Sequence, residues 1–103
     1  MKNIFLICGS GASSGFMAAS MRKAAKKKGE KVSVKAASEA QLDNVVDQID
    51  YLLIGPHLAY KEDEIKEKVK GKNLKVAIIP QLVYGSLNGE EALQLVRELE
   101  KSE

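Results

Sequence analysis

Cys8 is the side chain with the most chemistry to offer. It closes the apolar run Ile4-Phe5-Leu6-Ile7 and opens the segment Cys8-Gly9-Ser10-Gly11-Ala12-Ser13-Ser14-Gly15. Glycines at 9, 11 and 15 allow positive φ and let backbone amides turn toward one point. Ser10, Ser13 and Ser14 add hydroxyl donors and can cap a following helix. A helix start presents unpaired amides and the positive end of its dipole, which favour an anion. The same field lowers the pKa of a nearby thiol and makes it a better nucleophile. Cys8 with Gly9–Gly15 therefore suits a cysteine that accepts a phosphoryl group. The plain alternative is a small buried hydrophobe that merely continues the strand.

Three other chemistries share this layout. A tyrosine-phosphatase-type loop needs Arg six residues after its Cys, and Ser14 stands there; the only arginines are Arg22 and Arg97. Without that bidentate clamp, hydrolysis is disfavoured. A dinucleotide fingerprint wants G-x-G-x-x-G, but the third glycine comes one residue late at Gly15, and Ala36-Ala37 stand where a ribose-binding acid would. A thioredoxin-like site needs a second cysteine, and the chain has one. What survives is a phosphate cradle with a nucleophile and no hydrolytic apparatus, which describes a carrier. A non-catalytic phosphate or nucleotide binding module stays open, as does a low-molecular-weight phosphatase or arsenate reductase.

The elements that position this segment follow from periodicity. Strand and helix signals alternate four times across 103 residues. Lys2–Ile7 reads as a strand buried on both faces. Phe16, Met17, Ser20, Met21, Ala24 and Ala25 repeat at helical spacing until Gly29. Lys31–Lys35 reads as a half-covered strand. Ser38 and Gln41 resemble a capping box before a helix carrying Leu42, Val45, Val46 and Ile49. Tyr51–Ile54 is a third strand, stopped by Gly55-Pro56. Leu58, Ile65 and Val69 mark a charged helix that Tyr60 anchors and Gly71 ends. Leu74–Ile79 is the fourth strand. Asn88 or Gly89 opens a last helix burying Ala92, Leu95, Val96 and Leu99. This alternation predicts an α/β fold: a four-stranded parallel sheet of order 2-1-3-4, with helices on both faces and the phosphate-binding loop after strand 1. Ligands gather at the carboxyl ends of such strands, beside the switch in order. His57 after strand 3 and Tyr84 in the loop after strand 4 share that edge as secondary candidates. His57 could orient the thiol or exchange a proton, and Tyr84 could bond a phosphate or a partner.

Composition narrows the function classes. The length allows one domain, residues 1–103. Sixteen basic and fourteen acidic residues leave +2, too balanced to argue for nucleic acid or a membrane surface. Aromatics at 5%, without Trp, leave no base-stacking platform. One Cys and one His provide no metal site, and no cofactor is expected. The basic run Arg22–Lys28 reads as a solvated helix face that could also steer an acidic partner. The first apolar run is too short for a secretion signal of roughly 7–15 residues. No stretch reaches the roughly 20 apolar residues of a membrane span. An intracellular protein with a reduced thiol and no membrane insertion is expected.

The chain resembles the enzyme IIB component of the lactose/cellobiose/diacetylchitobiose class of the bacterial phosphoenolpyruvate-dependent sugar phosphotransferase system. The resemblance spans essentially the whole sequence. I-F-L-I-C-G-S-G-A-S-S at 4–14 is similar to the family's apolar strand and C-x-x-G-x-S-[ST]. L-I-G-P-H-L-A-Y at 53–60 is similar to its G-P-Q-[IL]-x-Y, with His57 where Gln is usual. Q-L-V-Y-G-S-L-N-G at 81–89 is similar to its x-L-L-Y-G-x-x-[DN]-G. Gly9 and Ala12 stand where the family often has larger residues. The resemblance implies a phosphotransferase in which Cys8 takes phosphate from a phosphohistidine on a IIA protein. It implies transfer onward to a sugar bound in the membrane-embedded IIC permease. It further implies a cytoplasmic protein that visits the inner face of the membrane. A small carrier that docks two partners in turn is expected to be a monomer.

Overall fold

The computed structural model describes residues 2–37 except 8–11, and residues 39–101; for 12–14, 37 and 39 it describes the backbone alone. Four strands, β1 (Lys2–Ile7), β2 (Val32–Ala37), β3 (Tyr51–Ile54) and β4 (Lys75–Ile78), form one sheet. The order is β2-β1-β3-β4 and every pairing is parallel, as the alternation of elements requires. Ile7 sits in register with Ala37 on one side and Ile54 on the other, and Ile54 with Ile78. The strand ends therefore form one carboxyl edge.

Helix α1 (Ala12–Lys27) and helix α5 (Gly89–Lys101) cover one face. Met17, Ala18, Met21 and Ala25 of α1 and Ala92, Leu93 and Val96 of α5 meet Ile4, Leu6 and Leu53 there. The other face receives Leu42 of α2 (Leu42–Val45) and Ile65 of α3 (Glu62–Lys68), with Leu58 and Val69, against Phe5, Ile7, Leu52 and Ile54. Alternate residues of β1 thus enter two separate cores, which explains its continuous apolar run.

Gly29 ends α1 at φ +73. The amide of Glu30 donates to the Ala25 carbonyl at 2.9 Å and that of Gly29 to Lys26 at 3.2 Å, a Schellman closure. This turn aims Glu30 at Arg97 of α5, and the two half-buried side chains form an ion pair. The hydrogen bond from Arg97 holds the Glu30 carboxyl below its usual range against the opposing effect of burial. The folded carboxylate keeps its charge to lower pH than the unfolded one. Its contribution is therefore full above the ordinary carboxylate range and is lost as pH falls through the lowered value. Glu30→Gln is expected to cost about 1 kcal/mol near neutrality and to flatten that acid limb. Urea midpoints at neutral and acid pH check both.

Four expectations from the sequence need correction. Phe16 is 68% exposed rather than part of the inward face. Met17 and Met21 set the buried stripe, and Phe16 lies about 100° round the helix from Met17. Tyr60 anchors nothing and is 78% exposed. It belongs to a 3-10 segment, Pro56–Lys61, that turns Leu58 inward before α3 begins. The second helix is one α-turn after a 3-10 turn at Glu39–Gln41, with Gln41 at its cap and no side-chain bond there. Ser38, the proposed capping residue, lies outside the described residues. The β-branched pair Val45-Val46 extends such a helix weakly, and the Asp50 amide is already drawn to the Asn3 carbonyl at 2.8 Å. Tyr84 is not in a loop but in a short helix, α4 (Gln81–Gly85), which Pro80 leads into.

Candidate phosphate-accepting edge

The segment after β1 is short. β1 ends at Ile7 and α1 begins at Ala12, so Cys8-Gly9-Ser10-Gly11 alone connect them. These four proposed site residues lie outside the described residues. The strand that precedes them, β1, stands between β2 and β3, where the sheet order reverses. The Gly55 amide donates to the Ile7 carbonyl at 2.8 Å and the Ile79 amide to the Ile54 carbonyl at 2.9 Å. The residue before Cys8 is thereby tied directly to the segment that carries His57.

Ala12, Ser13, Ser14 and Gly15 form the first helical turn rather than the loop expected of them. Gly15 is among the helical residues, and its φ is not positive. A side chain there would meet nothing within 4 Å. The reason glycine was expected at 15, a left-handed turn, does not hold. Amides of a first helical turn have no partner within the helix. α1 carries no acidic residue in that turn, whereas α3 has Glu62, Asp63 and Glu64, and α5 has Glu90 and Glu91. Those two helix starts supply their own negative charge. The first turn of α1 supplies no negative charge of its own.

His57 and Tyr84 come together on this edge. Their rings meet edge to face, with centroids 5.6 Å apart and planes at 74°. His57 is exposed and Tyr84 is buried. With Pro56, Gln81 and Gly85 they line a recess of about 200 Å³. A neighbouring one of about 260 Å³ adds Phe16 and Leu87. Phe16, Gln81 and Leu87 were missed from the sequence. Periodicity assigned Phe16 to the core, and Gln81 and Leu87 lie within the motif at 81–89, where Tyr84 alone is singled out.

A larger recess, about 340 Å³, opens at the amino edge between Lys2, Asp50, Tyr51 and Lys75. It lies at the opposite ends of the strands from Cys8. Its three lysines are all engaged, Lys2 with Glu100, Lys72 with Asp47 and Lys75 with the Leu99 carbonyl, so size alone does not mark the functional site. Among the described residues no three His, Cys, Asp or Glu side chains are grouped to hold a metal. Among them, too, no helix is long and apolar enough to cross a membrane.

A doubly covered parallel sheet whose order reverses beside β1 defines an open α/β protein of the kind that takes its ligands at the carboxyl edge. The comparisons with known proteins narrow that class. Residues 3–95 match the family described as PTS system, Lactose/Cellobiose specific IIB subunit. The oligo-beta-mannoside-specific EIIB component of Bacillus subtilis is 28% identical over 94 residues, covering 91% of each chain. The solution structure of a cellobiose-specific IIB component from Borrelia burgdorferi superposes with a TM-score of 0.79 at 33% identity, covering 97% of this chain and 93% of that one. The lactose-specific EIICB component of Streptococcus mutans is 28% identical over 98 residues, 93% of this chain and 17% of that protein. The chain belongs to the lactose/cellobiose-specific IIB family. It is a phosphoryl carrier of a sugar phosphotransferase system and works with IIA and IIC components.

Proposed function

We propose that Cys8 is the atom-level acceptor, in a single-domain, monomeric, cytoplasmic carrier. Its thiolate sulfur attacks phosphorus of a phosphohistidine on the IIA partner. The P–N bond breaks, and the imidazole leaves with the electron pair and regains a proton. A hydroxyl of a sugar bound by IIC then attacks the same phosphorus. The S–P bond breaks, the thiolate returns, and the hydroxyl proton passes to solvent or a base. Gly9, Ser10 and Gly11, with the first-turn residues Ala12, Ser13, Ser14 and Gly15, hold the phosphate through amides and hydroxyls. His57 and Tyr84 border that position. The observation that carries the reading is the α1 start: a helix without first-turn acids, four residues beyond a strand that ends beside Gly55. The relatives' names span oligo-beta-mannoside, cellobiose and lactose, which fits a sugar choice made in IIC.

Incubation with phosphoenolpyruvate, the general phosphotransferase proteins and IIA tests this. Intact-protein and peptide mass spectra should show one added phosphoryl group, on Cys8. Phosphate on any other residue overturns the assignment. Release of inorganic phosphate from an aryl phosphate by the protein alone would favour a phosphatase. Undiminished phosphate binding after Cys8→Ala, with no adduct in the wild type, would favour a binding module.

The same edge offers a surface to the partners. The exposed large hydrophobics among the described residues are Phe16, Tyr60, Leu82 and Leu87. All lie in segments that follow the carboxyl ends of β1, β3 or β4. Apolar side chains collected at one edge, with a polar surround, are typical of a docking surface. Leu82 is 88% exposed, so Leu82→Glu should leave stability within about 0.5 kcal/mol. It should raise the IIA concentration needed for half-maximal transfer about tenfold. Titration of IIA at fixed carrier checks this, and an unchanged half-point would remove Leu82 from the interface.

A further inference from the structure

The near-neutral total conceals a separation of charge. Residues 1–37 carry eight basic side chains and one acid, Glu30, for a formal +7. Residues 38–103 carry eight basic and thirteen acidic, for −5. The first set folds into β1, α1 and the edge strand β2, which pack directly on one another. The positive charge is therefore gathered on one side of the molecule, along the outer face of α1 and round the β2 edge.

Much of that charge has no ion-pair partner among the described residues, although Lys2 reaches Glu100 and Lys27 lies in the field of the Glu90 carboxylate. Glu30 is committed to Arg97, and the Arg22 guanidinium donates to the Val34 carbonyl. Lys28 reaches Glu90. Lys23, Lys26, Lys27, Lys31 and Lys35 are exposed, and among the described residues none pairs with a carboxylate. Elsewhere several lysines are matched, Lys66 with Glu62, Lys68 with Asp43 and Lys72 with Asp47.

We propose that this lysine face rests on the anionic lipid headgroups of a membrane surface. Its composition selects that partner over an acidic protein. A protein interface is built round an apolar or aromatic centre; of the exposed large hydrophobics among the described residues Leu87 alone shares a recess with these lysines, beside Lys23, Lys27 and Lys28, and the others follow the carboxyl ends of the strands. Carboxylate recognition favours the arginine fork, whereas these free groups are all lysine, hydrated point charges suited to a diffuse negative potential. The geometry serves the transfer reaction. α1 runs from the carboxyl edge back along the sheet. A molecule lying on its α1–β2 side keeps the Cys8 edge at its flank, roughly perpendicular to the lipid. It can then meet a permease standing in the same surface by a search in two dimensions. The proposal rests on the reading that the phosphoryl acceptor stands in a membrane.

The test needs no permease, so its result is separate from the Cys8 assignment, which the adduct mass decides. The protein is sedimented with vesicles of phosphatidylglycerol and phosphatidylcholine, and with vesicles of phosphatidylcholine alone. Binding is expected for the anionic vesicles only and should fade between about 0.05 and 0.5 M salt. Each lysine near such a surface is worth about fivefold in binding, so Lys23→Gln/Lys26→Gln/Lys27→Gln together should weaken it about a hundredfold. Lys66→Gln/Lys68→Gln should change it little, and Cys8 phosphorylation by IIA should persist in both variants. Absent binding by the wild type, equal binding to neutral vesicles, or an unaffected triple variant overturns the proposal. Binding to polyglutamate or duplex DNA under conditions that leave vesicles bare also overturns it, and assigns the face to a protein or nucleic acid.

Discussion

Cys8→Ser should abolish phosphoryl uptake from IIA, by at least about a thousandfold, while leaving the thermal midpoint nearly unchanged. A cysteine is a few per cent thiolate at neutral pH even without help. A serine hydroxyl is not ionised at neutral pH and without a strong base is a poor nucleophile. His57 is the chain's one histidine, and its ring rests against Tyr84. The replacement is nearly the same size, so packing after Ile7 should tolerate it. Any phosphoserine that did form would be an ordinary ester with a poor leaving group, and onward transfer to a sugar would stall. Rapid-quench measurement of labelled phosphate on the protein, beside its melting curve, checks both halves. A large fall in melting temperature with normal uptake would return Cys8 to a packing role. Loss of uptake at full stability is what a carrier requires.

The fold and the site were readable to different depths because they are encoded on different scales. Tyr51-Leu52-Leu53-Ile54 can be a buried strand or nothing, given Gly55-Pro56 immediately after it, and the parallel order follows from handedness alone. Phe16 could not be placed. Helical spacing identifies a face about 100° wide, and a residue at its margin goes inward or outward according to the neighbour opposite. At that margin the neighbours are His57 and Tyr84, more than forty residues away in sequence. Tyr84's helix is five residues long, too short for any period to register, and Pro80 before it reads as a break. For Cys8 to Gly11 the chemistry was legible in residue type: a thiol, two glycines and a hydroxyl at a switch point. The tie between the end of β1 and the segment that carries His57 could not be read, because it depends on the Gly55 amide reaching Ile7, far away in the sequence. The charge separation was hidden for a third reason. A sum over the chain averages over the positions that the fold gathers together.

Gly89→Ala should destabilise the protein by about 3 kcal/mol, although glycine to alanine inside a helix ordinarily stabilises. A Cβ at 89 would stand 2.3 Å from the Ser20 carbonyl carbon, 2.4 Å from its oxygen and 2.5 Å from the Met21 amide nitrogen. All three are backbone atoms of α1, so no rotamer change can make room and one helix must shift. The contact is also tied by hydrogen bonds. The Gly89 amide donates to Ser20 Oγ at 3.0 Å, and that hydroxyl donates to the Leu87 carbonyl at 2.7 Å. Leu87 is held at φ +53, a left-handed conformation unusual for leucine, so the connector is already constrained on its other side. Moving α5 away would break both bonds and loosen its contacts with Met17, Met21 and Ala25. Gly15→Ala is the matched control, because a Cβ there meets nothing within 4 Å. It should gain about 0.5–1 kcal/mol. Urea unfolding of the pair, read as midpoint at constant slope, checks the contrast. The consequence extends to function, because the strained connector carries Leu87 into the recess that Phe16, His57 and Tyr84 share. A Gly89→Ala protein that is still folded should therefore need more IIA for the same rate. If its stability instead matched or exceeded the wild type, α1 and α5 could not be crossing backbone to backbone at Ser20.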